Sequence, residues 1–466
     1  MSEQRKFSRR QFLRRSAAAG ASGAVLGAGA AGSLVGVGPA VVSASVLGGE
    51  GKTPPSEKIQ LGLIGAGGMG RANLANCAQY DDVVVTAIAE VWQERLEAAL
   101  KPYPNAKGFR DYRELLAQKN VDAVIIASPP HWHTLHAIDA CEAGKHIYLQ
   151  KPMTLTLGES LAVVAAVKKH QRISQVGTQI HASANYRKVV NYIRSGILGP
   201  ISVARSFNVY NFGPEGIGRD PNCEPPPGLD WEGWVGPARM RPFNPLIVRD
   251  SFTHSGFMDY GGGWTPCWAP HILDLPIWAL ELGLPTMVAA SGGRFVVQDA
   301  GDAYDTHEIL LQYPNVTVTW MMSQVNSYGF DAQGKPGTRR RLGTYFQGVN
   351  GTLFADYSTH KIIPEGDRLK DIPPEPPKVV PDSPGHEREW LDCIRSGQQP
   401  SANVEYHHKV NVPIVLGNLS LRLGRSIRLD PNSGWIVGDE EAARLSVPEY
   451  RPPWKFPRQY LAEVLG

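Results

Sequence analysis

Cysteine is scarce in this chain: five residues in 466, at Cys77, Cys141, Cys223, Cys267 and Cys393. No C-x-x-C pair and no metal-ligand spacing occurs, so neither a disulfide framework nor a bound metal is expected. Most of these thiols read as small buried hydrophobes. Strong charge of either sign is missing too. The formal net charge is +3, yet residues 1–44 hold six basic residues and one acid, leaving 41 basic against 43 acidic residues, or −2, in the remainder. A near-neutral body argues against nucleic acid or an anionic membrane surface as partner. Its one compact basic run, Arg339-Arg340-Arg341, reads as a solvated loop or as a contact for an anionic ligand. Internal repeats are absent as well, and the length predicts two or three domains with ample core.

The basic N-terminus has its own logic. Ser8-Arg9-Arg10-Gln11-Phe12-Leu13 is a twin-arginine pattern, followed by an Ala/Gly/Val-rich stretch from Ala17 to about Leu47. Small residues at Val42-Ser43-Ala44 offer a cleavage site, so residues 1–44 read as a twin-arginine export signal, and 45–57 as a linker. A transmembrane helix is the competing reading, weakened by the glycine content. The twin-arginine translocase carries folded proteins, and a periplasmic enzyme has no evident pool for recycling a soluble nicotinamide. An exported dinucleotide enzyme is therefore expected to hold its cofactor tightly.

The body opens with Lys58 to Gly70, KIQLGLIGAGGMG. An apolar run ends in a G-x-G-x-x-G turn, and a helix-compatible segment follows, the order that dinucleotide binding requires. Gly65 permits the tight turn, Gly67 lets the backbone approach a pyrophosphate, and Gly70 lets helix and strand pack closely; Gly68 and Met69 complete the turn. The phosphates would rest on the free N–H groups of the helix start. Glu90 ends the next apolar run about 20 residues past the last glycine, placed to grip the ribose hydroxyls and repel a 2′-phosphate, so NAD is expected rather than NADP.

Alternating apolar and helical segments continue for about 120 residues and specify a doubly wound parallel sheet. Asp111 reads as a helix N-cap. Val121 to Ala127 is apolar apart from Asp122, as a strand covered on both faces should be. It ends in Ser128-Pro129-Pro130-His131-Trp132-His133, and the next strand, Lys145 to Leu149, ends in Gln150-Lys151-Pro152. Ligands of such sheets gather at these carboxyl ends, which makes Ser128, Pro129, His131, Gln150 and Lys151 candidate cofactor contacts. His131 and His133 either face the nicotinamide or are structural.

Together these motifs resemble the glucose–fructose oxidoreductase / inositol dehydrogenase (Gfo/Idh/MocA) family. The resemblance also rests on Gln175-Val176-Gly177-Thr178-Gln179, Asp230 to Pro237, Tyr260-Gly261-Gly262-Gly263, His271-Ile272-Leu273-Asp274 and Leu416 to Arg425. It implies an α/β protein: a Rossmann domain over 58–178, then a C-terminal α/β domain over 179–466 with a large, mostly antiparallel sheet through which members self-associate. Two departures stand out. The family's E-K-P is Gln150-Lys151-Pro152, and its D-x-G-x-H-x-x-D is Cys267 to Asp274, with a thiol where a carboxylate would orient a sugar hydroxyl.

Hydride transfer from a hydroxyl carbon needs a group to bind the oxygen and another to take the proton. Lys151 suits the first role. His271, given the family match and an imidazole's ordinary pKa, suits the second. Asp274, three residues on, reads as structural. Cys267 reads as core, pocket wall or reactive thiol, in that order. Tyr186, Arg187, His254 and Asp259 are further substrate-pocket candidates, and Trp231, Trp234, Trp264 and Trp268 suit either sugar stacking or core. Proline-rich tracts at 225–227 and 371–377 read as surface loops or subunit arms. The expected activity is an NAD(P)-dependent oxidoreductase on a carbohydrate or polyol. The same parts serve a glycoside hydrolase or epimerase that returns the hydride, and a non-catalytic sugar-binding protein is the remaining alternative.

Overall fold

The computed structural model describes residues 53–328 and 340–465. Residues 1–44, expected to form an export signal, and most of the expected linker lie outside the described residues. The first sheet contains β1 (Ile59–Ile64), β2 (Val83–Ala89), β3 (Lys107–Phe109), β4 (Ala123–Ile126), β5 (His146–Leu149) and β6 (Ser174–Val176). All pairs are parallel, in the order β3-β2-β1-β4-β5-β6. Helices α1 (Gly68–Ala78), α2 (Gln93–Leu100), α3 (Tyr112–Leu116), α4 (His133–Glu142) and α5 (Leu157–Lys169) make the crossovers. The strand order reverses between β1 and β4, so the crevice beyond their carboxyl ends is where this topology receives a ligand. Leu61, Leu63, Val124 and Ile125 are fully buried, which accounts for the unbroken apolar runs. Asp111 caps α3 through the Arg113 amide and Thr156 caps α5 through the Glu159 amide.

The second sheet contains β7 (Ile201–Tyr210), β8 (Met287–Gly293), β9 (Thr306–Gln312), β10 (Thr317–Ser323), β11 (Arg340–Gly348), β12 (Gly351–Ala355), β13 (His360–Pro364), β14 (Ile427–Asp430) and β15 (Trp435–Ile436). Its order is β13-β12-β11-β7-β10-β9-β8-β14-β15. The β7–β10 pair is parallel and its neighbours are antiparallel. Helices α6 (Ala184–Arg194), α7 (Pro270–Ala279), α8 (His386–Ser396) and α9 (Val404–Leu423) follow in the chain. Of these, α7 and α9 cover one face of the sheet. Gly417 lets α9 sit close, since a Cβ there would lie 2.4 Å from Ile309 Cδ1. The residues of the other face are half-buried along β10, and on β9 Glu308 and Leu310 are exposed, Leu310 by 41 %. Arg340 and Arg341 are not in a loop: they open β11, paired with Tyr210 and Val209 of β7.

The chain crosses back over the first sheet late in its course. Helix α8 packs on α1, Arg388 holds Asp82 with two bonds of 2.9 and 3.0 Å, and Val176 N donates to Ala402 O. Residues 386–402 therefore pack on the Rossmann half, although they follow β7 to β13 of the second sheet in sequence.

Burial has an unusual consequence for histidine. Desolvation pushes His131, His133, His307, His407 and His408 down to about 4, and His386 to about 3. Each is neutral when folded but binds a proton near pH 6.5 when unfolded. Unfolding therefore takes up protons as pH falls from about 6.5 to 4, and stability drops by about 1.4 kcal/mol per pH unit for each such group. Thermal melts from pH 8 to 5 should be flat above about 6.5 and fall steeply below it. A melting temperature unchanged down to pH 5 would refute this account.

Candidate active site

The glycine turn is built as its spacing requires. Gly65 has φ +88°, and a Cβ there would meet the Ser128 amide nitrogen at 2.6 Å. At Gly70 a Cβ would lie 2.1 Å from the Gly65 carbonyl oxygen, whereas at Gly67 nothing stands within 4 Å. The turn is tight on its inner side and open toward a cleft of about 670 Å³. Helix α1 begins there with no side chain capping its first turn, so its amides remain available to an anion. Glu90, at the end of β2, lines the same cleft. Its carboxylate accepts from Ala66 N at 2.7 Å and Trp92 N at 3.1 Å, which locks the glycine turn to β2. Burial pushes its pKa up, against the pull of those amides and of Arg95. Open space above Gly67, an uncapped helix start and an acid at the end of β2 together fit a dinucleotide.

The ends of β4 and β5 form the next wall. Ser128, Pro129, Gln150 and Lys151 line the cleft with Gly65, Gly67, Gly68 and Met69. Gln150 Nε2 donates to Asn73 Oδ1 on α1 at 2.6 Å, and Gln150 Oε1 accepts from Lys151 N at 3.1 Å. An amide serves both neighbours, whereas the carboxylate usual at this position can only accept. Lys151 Nζ donates to the Cys267 carbonyl at 2.9 Å, and Cys267 lines the cleft. His254 joins them. Burial, reinforced by His131 and Lys151, lowers its pKa to about 3, so it is a neutral imidazole.

His131 is not a cleft residue. Its ring nitrogens lie 3.3 Å from the Tyr260 carbonyl oxygen and 3.0 Å from that of Trp234, and the ring is buried, making it a bolt between the two halves. His133 is similarly set against the Pro152 and Ser128 carbonyls at 2.7 and 2.9 Å. Three substrate candidates also fall elsewhere. Tyr186 is buried beside Tyr357, Arg187 pairs at the surface with Asp382 at 2.7 Å, and Asp259 pairs with Arg241 at 2.8 Å. Position in sequence could not reveal these orientations. His271 is half-buried and is not among the residues lining the cleft. Ala269, at φ −60° and ψ −36°, continues the helical path from Trp264–Trp268 into α7, so His271 stands one turn past Cys267 on the same face. Asp274 is buried: burial alone would raise its pKa, but His181, His407 and Tyr406 hold it below the usual carboxylate range. Trp264 and Trp268 are core, while Trp234 lines the cleft.

The second half also closes over the cofactor side, which no local motif announced. Gln93 N donates to Gly228 O and Asp230 N to Val91 O, both at 3.0 Å, and Trp92 bridges to Leu229. Arg95 Nη2 donates to Val248 O at 2.6 Å. A Cβ on Gly68 would lie 3.8 Å from the Ser251 side chain. From the C-terminal end Trp454 lines the cleft, its ring 5.8 Å from that of Trp132. Arg71 and Arg95 flank the Glu90 end.

A doubly wound sheet with this cleft at its switch point, faced by a second sheet domain, defines a dinucleotide-binding oxidoreductase. Residues 59–178 match the family model of the oxidoreductase family's NAD-binding Rossmann fold, and residues 331–456 that of its C-terminal alpha/beta domain. The two cover just over half of the chain, which belongs to the Gfo/Idh/MocA family and binds NAD. It is similar to the myo-inositol 2-dehydrogenase of Thermotoga maritima, 28 % identical over 37 % of this chain and 48 % of that protein. A glycosyl hydrolase family 109 protein of Shewanella baltica is 29 % identical over 32 % of this chain and 34 % of that protein. The chain thus spans less than half the length of these curated relatives. Among solved structures, the WlbA dehydrogenase from Bordetella pertussis, in complex with NADH and UDP-GlcNAcA, superposes with a TM-score of 0.59 at 20 % identity, over 80 % of this chain and 99 % of that one. At that identity the likeness is one of fold.

Glu90→Ala removes the lock on the glycine turn and the carboxylate expected to grip the ribose. NAD affinity should fall about tenfold or more, roughly 1.4 kcal/mol, and NADP affinity by less, since Arg71 and Arg95 stand by. Titration of the apoprotein with each nucleotide measures the ratio. Equal losses for both would remove Glu90 from cofactor selection.

Proposed function

We propose that this chain is an exported oxidoreductase that moves a hydride between a hydroxyl-bearing carbon of a carbohydrate or polyol and a tightly held NAD. The observation that carries the reading is Lys151, fixed by the Cys267 carbonyl at the mouth of the glycine turn. NAD, when bound, supplies the hydride acceptor and donor. Lys151 Nζ binds the substrate oxygen and draws off its charge as the proton leaves. His254, held neutral, accepts a hydrogen bond from a neighbouring hydroxyl; an imidazole with so low a pKa is a poor proton carrier. The proton is assigned to His271, one helical turn beyond Cys267; because His271 lies off the cleft lining, it receives the proton through an intervening group rather than by direct contact.

A second reading uses the same residues for net hydrolysis or epimerisation, with the hydride returned to the sugar before product leaves. Two observations favour it: the cover over the cofactor side, and the similarity to glycosyl hydrolase family 109 proteins. Export through the twin-arginine translocase to the periplasm, proposed from residues 1–44, supports either form, because both benefit from a retained cofactor. The outer face of the second sheet, where Leu310 is exposed, is assigned to self-association; sedimentation as a monomer would exclude this.

The experiment is to purify the protein without added nucleotide, release its ligand by denaturation, and identify it by mass spectrometry. The native protein is then incubated with sugars and aryl glycosides. Co-purified NAD with repeated turnover of a glycoside supports the closed cycle; one reduced cofactor per chain, then arrest, supports simple oxidation. Lys151→Met and His271→Gln should each lower kcat by ~10²-fold or more with NAD retained, whereas His254→Gln should chiefly raise KM. Unaltered kcat in Lys151→Met would end the proposal.

A further inference from the structure

Behind the wall of the cofactor cleft lies a second cavity of about 390 Å³. Arg239, Arg422 and Arg444 line it from three separate parts of the chain: the loop after Trp231–Val235, the last turn of α9, and the helix Glu440–Leu445. All three are exposed, and among the described residues none has a carboxylate within salt-bridge reach, in a protein where most other cleft-side arginines are tied to a neighbour. Like charges gathered on one cavity repel unless something answers them.

The acids present do not answer them. Asp259 is already taken by Arg241 at 2.8 Å. Glu159 is buried and accepts from Tyr450 Oη at 2.6 Å and Leu155 N at 3.0 Å. Only Glu449 is left to offset the three guanidinium groups. The nearby start of α5 adds no anion site of its own, because Thr156 takes the Glu159 amide and Ser446 O takes the Gly158 amide. Planar guanidinium forks match the oxygens of a phosphate, and three of them from different directions suit a dianion better than a single carboxylate.

We infer that this cavity is a binding site for a small phosphate-bearing molecule, held by Arg239, Arg422 and Arg444. It is separate from the cofactor's own phosphates. His131 lines it, and the Trp234 carbonyl that His131 contacts belongs to a residue of the cofactor cleft. The occupant therefore sits on the far side of the wall that shapes the cleft.

The test uses the full chain saturated with NAD, so that the glycine turn is occupied. Isothermal titration with inorganic phosphate and with glucose 6-phosphate should show saturable, one-to-one binding at constant ionic strength. The double variant R422Q/R444Q should bind at least tenfold more weakly, while Lys361→Gln, an exposed lysine on β13, should bind as the parent does. Among the described residues the Arg422 and Arg444 side chains have no hydrogen-bond or ion-pair partner, so the melting temperature of the double variant should match the parent and certify its fold. Tighter binding of glucose 6-phosphate would assign the site to a phosphorylated sugar, and equal binding to free phosphate. Heats that never saturate, or equal affinity in the double variant, would overturn the inference.

Discussion

The hydrogen bond from Lys151 Nζ to the Cys267 carbonyl ties the end of β5 to the helical layer of the second half, and the candidate chemistry depends on it. Its acceptor is a backbone group. A carbonyl is indifferent to the side chain on its own residue, so the lysine keeps its anchor although the family's carboxylate has become a thiol. The same device recurs nearby. His131 rests against the Tyr260 and Trp234 carbonyls, and His133 against those of Pro152 and Ser128. A neutral ring donates to only one of its two carbonyls, and burial opposes the second proton that would serve both; the Trp234 carbonyl also accepts from Trp132 Nε1 at 2.9 Å. What Cys267 changes is the chemistry available to a substrate hydroxyl, because a neutral thiol is a weak partner. In the proposed mechanism that burden passes to Lys151, His254 and His271.

Segments distant in sequence meet around the site. The Rossmann half is flanked by residues 386–402, which return after the second sheet's central strands: α8 packs on α1, and Val176 N donates to Ala402 O. The cofactor side is completed by residues 228–251 and by Trp454. The two halves thus exchange segments across the site, and a substrate entering from one side meets a wall contributed by both. Such exchange also explains why Asp274 can be buried and charged: its partners come from two distant stretches, His181 from one and the neighbours Tyr406 and His407 from the start of α9.

The parts legible in the sequence are those fixed by local physics. The apolar runs, the glycine turn, the Asp111 cap and the strand ends at Ser128 and Gln150 follow from periodicity, backbone freedom and capping within a few residues, and each falls where the pattern puts it. Orientation was not legible. His131 sits at a strand end, as a cofactor contact should, yet its ring turns toward Tyr260 and Trp234. Tyr186 and Arg187 begin a helix whose amphipathic face sends one into the core and the other to Asp382. Arg340 and Arg341 read as a loop because charge outweighed the strand pairing that only β7 reveals. The closure by Arg95, Val248 and Trp454 spans separations that no window of sequence contains.

That closure bears on how the cofactor is held. For it to leave past the ribose end, the bonds Gln93–Gly228, Asp230–Val91 and Arg95–Val248 have to open together, because they join the same two edges. At about 1 kcal/mol net for each neutral bond, and somewhat more for the guanidinium, the cover adds roughly 3–4 kcal/mol to the barrier, or about two to three orders of magnitude in residence time. None of this strengthens the contacts to the nucleotide itself. It slows departure while leaving the pocket's chemistry unchanged, which is what an enzyme needs if each hydride it accepts must be given back by the same molecule of cofactor.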